Sequence, residues 1–304
     1  MGIEEDKRKL AEYISHLQKK ALTFGGTIEN IPTACGNCCL LINMSSNLHT
    51  VYIPDNVRAL NSSCVYEQND VAFRNAMAKL KGKVKVLGGY GLEDTKYMFY
   101  NCVLDEVDIS EMQASKVTEM MSMFESSRIS TIRMGSLDMS SVINAGRMFD
   151  HCVAKSIDMS KVRTGSLVGA YEMFSGCSVD ELKLDGVTTH NVTNMFGMFS
   201  TCTTSRLDLS HFDTSNATNM REMFYKCNAP KLDLSSFDTS KVKYITNMFY
   251  DCKAELIDVR NFDISSVTDR LSLHSMFYNC IDNTVLSMPL YKYLIEGLPP
   301  EDDA

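Results

Sequence analysis

The run Cys35-Gly36-Asn37-Cys38-Cys39, followed by His49 and Cys64, has the residue types of a metal site. A Cys-x-x-Cys pair offers two thiolates to a tetrahedral zinc, and Cys35, Cys38, His49 and Cys64 would make four ligands. The second closely spaced ligand pair of a zinc module is absent from the sequence. Buried thiols in a capping segment are therefore the favoured reading, with zinc as its alternative. Catalytic chemistry has less to stand on. No nucleophile elbow, phosphate loop or His-Glu-x-x-His run occurs, and Gly88-Gly89-Tyr90-Gly91 reads as a bend after a strand-like Lys83-Val84-Lys85-Val86. His16, His49, His151, His190, His211 and His274 share no spacing that would force two together. With no convergent acid, base and nucleophile, the expectation is a protein that is not an enzyme and needs no cofactor.

Binding chemistry is better represented, and it follows a beat. A Met-Phe pair returns every 25 residues, from Met98-Phe99 through Met123-Phe124 and onward to Met248-Phe249, then at Met276-Phe277 after a three-residue insertion. Units repeating at such a period cannot bury their own apolar face and must stack on neighbours. Each unit buries side chains worth about 1.5 to 3 kcal/mol apiece. Ordering its residues costs about 1.5 kcal/mol each, so a lone coil does not stand.

Aligning the units gives the elements that would position a site. A triplet heads each one: Val107-Asp108-Ile109, Ile132-Arg133-Met134, Ile157-Asp158-Met159, Leu182-Lys183-Leu184, Leu207-Asp208-Leu209, Leu232-Asp233-Leu234, Ile257-Asp258-Val259. Period-two alternation turns the outer residues to the core and the charged one to solvent, in a parallel ladder of strands about 4.8 Å apart. A second core column follows at Met112, Leu137, Val162, Val187, Phe212, Phe237 and Phe262. Asp213, Asp238 and Asp263 then sit in a turn, as acceptors for backbone N–H groups. Val192 to Phe199 typifies the next stretch, whose apolar spacing fits one or two turns of helix or 3₁₀-helix on the opposite wall. Cys102, Cys152, Cys177, Cys202, Cys227, Cys252 and Cys280 follow the Phe by three residues, and Ser127 fills the missing place. They read as a ladder of small buried hydrophobes.

Two columns could face a partner. Asp108, Arg133, Asp158, Lys183, Asp208, Asp233 and Asp258 form the outward strand row, whose last three acids would stack in a repulsive arrangement that a basic partner relieves. Tyr100, Tyr225, Tyr250 and Tyr278 follow the Phe of their pairs and would be interface anchors if exposed, core residues if packed. The formal net charge of −8 and pI near 5.3 argue against a nucleic-acid partner.

The phrase from Leu207 to Cys252, Leu-Asp-Leu-Ser-x-Phe-Asp-Thr-Ser with Met-Phe-x-x-Cys behind it, resembles the BspA-type leucine-rich repeat of bacterial, mycoplasmal and protist surface proteins. The likeness spans about Val107 to Cys280, weaker before Leu182. It implies an α/β repeat: a curved leucine-rich-repeat-like solenoid of 25-residue units with a parallel strand ladder. The function it implies is adhesion or protein recognition.

The ends depart from the beat. Residues 1–24 read as a helix with Ile3, Leu10, Leu17 and Phe24 seven apart, Ile14 and Ala21 in the alternate row, and Lys7 breaking that row. Such a helix either folds back on its own solenoid or joins a homo-oligomer. Residues 25–81 form an N-terminal cap, 82–280 the array and 281–304 a C-terminal cap with an acidic tail. Val285-Leu286 would be a last strand. The opening residues lack the pattern of a secretory signal, and no apolar run is long enough to insert in a membrane. The expectation is a cytoplasmic protein as synthesised, reaching a virion or cell surface by lysis. The function expected is a non-enzymatic scaffold for a protein or surface glycan. The alternative is an assembly component, such as a phage fibre or decoration protein, oligomerised by the helix.

Overall fold

The alternating triplets do set the strands. In the computed structural model, which describes residues 2–34, 36–61, 72–269 and 272–295, a helix precedes a curved, mostly parallel β-solenoid of 25-residue coils. Helix α1 (Gly2–Thr23) leads into an antiparallel meander of β1 (Thr27–Pro32), β2 (Cys38–Ser45) and β3 (Leu48–Ile53). After α2 (Ala72–Lys79), β4 (Lys83–Gly88) pairs with β3 in parallel and starts the ladder. Then come β5 (Val103–Met112), β6 (Arg128–Arg133), β7 (Val153–Asp158) and β8 (Ser178–Lys183). Their register holds one repeat between partners, as in Val107 with Ile132 and Ile157 with Leu182. A second parallel sheet joins β9 (Lys231–Asp233), β10 (Leu256–Val259) and β11 (Thr284–Leu286). The short helices α3 (Ser272–Met276) and α4 (Met288–Leu294) flank its last turn.

The ladder breaks at the triplet Leu207-Asp208-Leu209, which joins neither sheet. Pro230 supplies a reason. One coil earlier the Ser205 N–H donates to the Asp180 carbonyl, and one coil later Glu255 donates to Pro230. Pro230 itself has no N–H with which to make the intervening bond to Ser205.

The opposite wall differs from the helix expected there. Met195 to Met198 and Phe199 to Cys202 are two successive β-turns, closed by N–H donation from Met198 to Met195 and from Cys202 to Phe199. The third residue of each is left-handed, Gly197 at φ 58° and Thr201 at φ 52°. Alternate N–H groups then reach the next coil: Gly197 to Arg221, Phe199 to Met223 and Thr201 to Tyr225, at 2.6 to 2.9 Å. A helix would keep these donors inside its own coil, where they could not tie one coil to another. Among the described residues of this wall, glycine fills the left-handed place at Gly176 and Gly197; elsewhere Tyr97, Ser122, Arg147 and His151 are among the residues that accept it. The phenylalanines of this wall stack from Phe99 to Phe277, centroids 5.2 to 5.7 Å apart and planes within 5°. Met98, Met123, Met148, Met173, Met198, Met223 and Met248 are fully buried beside them, and the expected second core column and the repeat cysteines are buried too.

Helix α1 folds back on the sheet. Ile14 and Ala21 are buried against Ile42 and Leu87, with Leu10 and Leu17 packed alongside. Lys7, which interrupts the apolar row, pairs with Asp55 at 2.9 Å and lies over the Tyr90 ring. The seven-residue row is thus divided: Ile3 and Phe24 point to solvent while Leu10 and Leu17 pack.

Candidate functional site

The outward strand row occupies the place the alternation assigns it, but its carboxylates have local work. Asp108, Asp158, Asp208 and Asp233 each accept a backbone N–H and a hydroxyl from the serine two residues on, Ser110, Ser160, Ser210 and Ser235. Such Asx turns end β7 and β9, whose last residues are Asp158 and Asp233. The expected repulsion among the last three acids is relieved by the chain itself. Arg206 lies 3.0 Å from Asp208, Lys231 lies 3.1 Å from Asp233, and Arg260 grips Asp258 at 2.5 Å. Those cations sit two residues away from the column, on either side of it, and so form no single row at the 25-residue period. Arg133 pairs with Glu106 and Lys183 with Glu181 and Asp158.

The carboxyl acidities follow this geometry. The Ser210 hydroxyl and N–H hold Asp208 below the usual carboxylate range, with Arg206 adding to them. Ser235 and then Lys231 bring Asp233 down to about 2. The Arg260 hydrogen bond holds Asp258, whose side chain is almost wholly buried, below the usual carboxylate range. Around the row lie two open clefts. One, of 410 Å³, is lined by Ser110, Arg133 and Asp158, and the other, of 370 Å³, by Arg206, Asp208, Lys231 and Asp233 at the break in the ladder. The Asp213, Asp238 and Asp263 carboxylates accept the N–H of Ser215, Ser240 and Ser265, as expected of turn acceptors.

Three of the four tyrosines come together. Tyr225 and Tyr250 stack at 5.3 Å and Tyr250 and Tyr278 at 4.6 Å, with Tyr278 half exposed. Stacking covers both faces of Tyr250. Lys226 lies over the Tyr225 ring at 5.1 Å. Tyr100 stands apart at the other end, edge-on to Tyr97 and under Arg74. The coils between carry Glu125, Asp150, Ser175 and Ser200 at the equivalent place.

Two features escaped sequence reading. Arg147 reaches Asp150 at 2.6 Å, Glu125 at 3.2 Å and Glu172 at 3.7 Å, and His151 Nδ1 lies 2.7 Å from Asp150. Burial pushes the Glu172 carboxyl up. No column signal marks this network, because its residue types change from coil to coil. The other feature is a buried row, Thr164, Thr189, Thr214 and Thr239. Thr189, Thr214 and Thr239 donate to the next coil's Asp213, Asp238 and Asp263 carbonyls at 2.8 to 2.9 Å. The Asp-Thr-Ser phrase at Thr214 and Thr239, with a Thr 25 residues apart throughout the row, was its signal.

Of the candidate zinc ligands, Cys35 and Cys64 lie outside the described residues. Cys38 is exposed, whereas both His49 ring nitrogens are engaged, Nδ1 2.6 Å from Asn43 Oδ1 and Nε2 2.9 Å from the Lys81 carbonyl. Among the described residues no group of three His, Cys, Asp or Glu is placed to hold a metal. The repeat thiols are poor nucleophiles: burial pushes Cys102, Cys202 and Cys280 up to about 12 and Cys152 up to about 11. No described helix is long and apolar enough to cross a membrane.

These features define a repeat solenoid, with recurrent side chains inside and variable ones outside. A family model described as Mycoplasma protein of unknown function, DUF285, matches residues 68–187 and again 168–287, and the chain belongs to that family. No curated protein and no solved structure matches it.

Proposed function

We propose that the chain is a non-enzymatic recognition scaffold that binds a protein or surface glycan through the exposed rows of its solenoid. The observation that carries this reading is the Tyr225–Tyr250–Tyr278 stack. The same position holds Glu125, Asp150, Ser175 and Ser200 in other coils, so the core does not require an aromatic there. Three partly exposed tyrosines at a place free to vary are suited to anchoring a partner. Because stacking covers ring faces, the row favours contacts through edges and hydroxyls, as a protein surface makes, over the flat platforms that sugars use. The likeness to BspA-type leucine-rich repeats adds support for adhesion.

The test is affinity capture from lysate and envelope fractions of the source organism, with the full chain as bait. Replacing Tyr250 and Tyr278 by Ser should abolish capture while melting stays near wild type; a partner retained by that variant would remove the proposal. Asp208→Asn with Asp233→Asn probes the acidic row. Asn keeps an acceptor for the serine N–H, whereas charge reversal would also dismantle the turn. The assembly alternative requires a helix with its apolar row available, and in the folded chain α1 lays Leu10, Ile14, Leu17 and Ala21 on its own sheet.

A further inference from the structure

The net charge of −8 is unevenly placed: residues 1–86 carry more Lys and Arg than Asp and Glu, and the acidic excess lies in the rest of the chain. One edge of the N-terminal part gathers cations. The end of α1, the β2–β3 hairpin tip and the α2–β4 loop converge there, with Gly25, Gly26, Ser45, Ser46, Lys79 and Lys81 lining one open cleft. Lys83 donates its N–H to the Asn47 carbonyl at 2.9 Å, fixing the loop to the hairpin tip. Lys19, Lys20, Lys79 and Lys81 are exposed, and none has a carboxylate partner among the described residues. Glu29, the acid on the cleft, is held by the Asn43 amide and the Thr27 hydroxyl. The same edge exposes large apolar side chains: Leu22 is 66% exposed, Phe24 73% and Leu48 48%.

We infer that this edge docks the protein on an anionic phospholipid surface, with the lysines at the headgroups and Phe24, Leu22 and Leu48 at the acyl boundary. Clustered lysines beside exposed apolar residues are what peripheral binding to such a bilayer requires. A soluble polyanion would satisfy the lysines and leave the apolar side chains in water. The acidic array would be repelled by the same surface, so docking by this edge holds its rows away from the lipid. The inference goes beyond the recognition proposal and does not depend on it.

The experiment is co-sedimentation of the full chain with phosphatidylcholine vesicles, with and without phosphatidylserine, over a range of salt. Wild type should bind only the phosphatidylserine vesicles, and less as salt rises. The variant K19E/K20E/K79E/K81E should bind on the order of tenfold or more weakly. Phe24→Ser should bind several-fold more weakly with the same salt dependence, and its exposed site makes misfolding an easy matter to check by melting. Failure to bind, or equal binding to neutral vesicles, overturns the inference. So does charge-dependent binding that Phe24→Ser leaves intact and soluble polyphosphate competes away, which would make the ligand a polyanion. Self-association lost in the quadruple variant without vesicle binding would assign the edge to a second copy.

Discussion

The two walls of the solenoid are built from the same repeats but tolerate interruption differently. The strand wall stops at Leu207-Asp208-Leu209 and resumes at β9, while the Met-Phe turn wall keeps its hydrogen bonds and ring stack from Phe99 to Phe277. On the strand wall each coil presents a charged residue to water, and one missing N–H opens the ladder. On the turn wall left-handed conformations recur in every coil, most of them on residues other than glycine that disfavour them, and burial of Met, Phe and Cys offsets the strain. Cohesion therefore resides mainly in the turn wall, and the strand wall has latitude to carry surface chemistry.

The contrast is broken most severely from the turn wall. Phe174→Ala should cost about 3 to 5 kcal/mol, read as a lower urea midpoint, because its ring stacks on both neighbours and is fully buried. Asp158→Ala on the strand wall should cost about 1 kcal/mol; equal costs would erase the distinction. Thr214→Val, which removes the buried hydroxyl donating to the Asp238 carbonyl and accepting the Asp238 N–H, should cost about 1 to 3 kcal/mol by the same measurement.

Acid should act on the strand wall. Asp208 and Asp233 are depressed in the folded chain, so they stabilise it above their ordinary range and lose that contribution as pH falls from the reference 3.8 towards about 2 for Asp233. The melting temperature should fall through that window, and less so in Asp233→Asn; because both carboxylates are half exposed, added salt should shrink the difference. The smallest effect is a gain. Pro230→Ser restores an N–H opposite Ser205 and should stabilise by about 0.5 to 1.5 kcal/mol, with the new backbone amide protected from hydrogen exchange. An unprotected amide there would mean that Pro230 is not what parts the two sheets.

Much of this was legible in the chain. The triplets around Asp108 and Asp158 marked strands because a period of two admits one buried face, and the Met-Phe-Cys beat marked the core because identical apolar residues at a fixed interval must coincide when coils stack. The turn wall reads as helix in sequence because Val192 to Phe199 has apolar spacing that suits both, and spacing does not say where N–H groups are directed. The candidate rows were located but not their partners: Arg206, Lys231 and Arg260 answer the acids from neighbouring positions.

Sequence by itself determined the period, the identity of the buried columns and the side of each strand that meets water, since all three follow from repetition and alternation. Tertiary structure decided that the acidic row is compensated, that three tyrosines stack while Tyr100 stands alone, and that α1 lies on its own sheet through Ile14 and Ala21, with Lys7 paired to Asp55. Those outcomes depend on the relative placement of side chains two residues or many coils apart, which a periodic pattern constrains only after the coils have closed against one another.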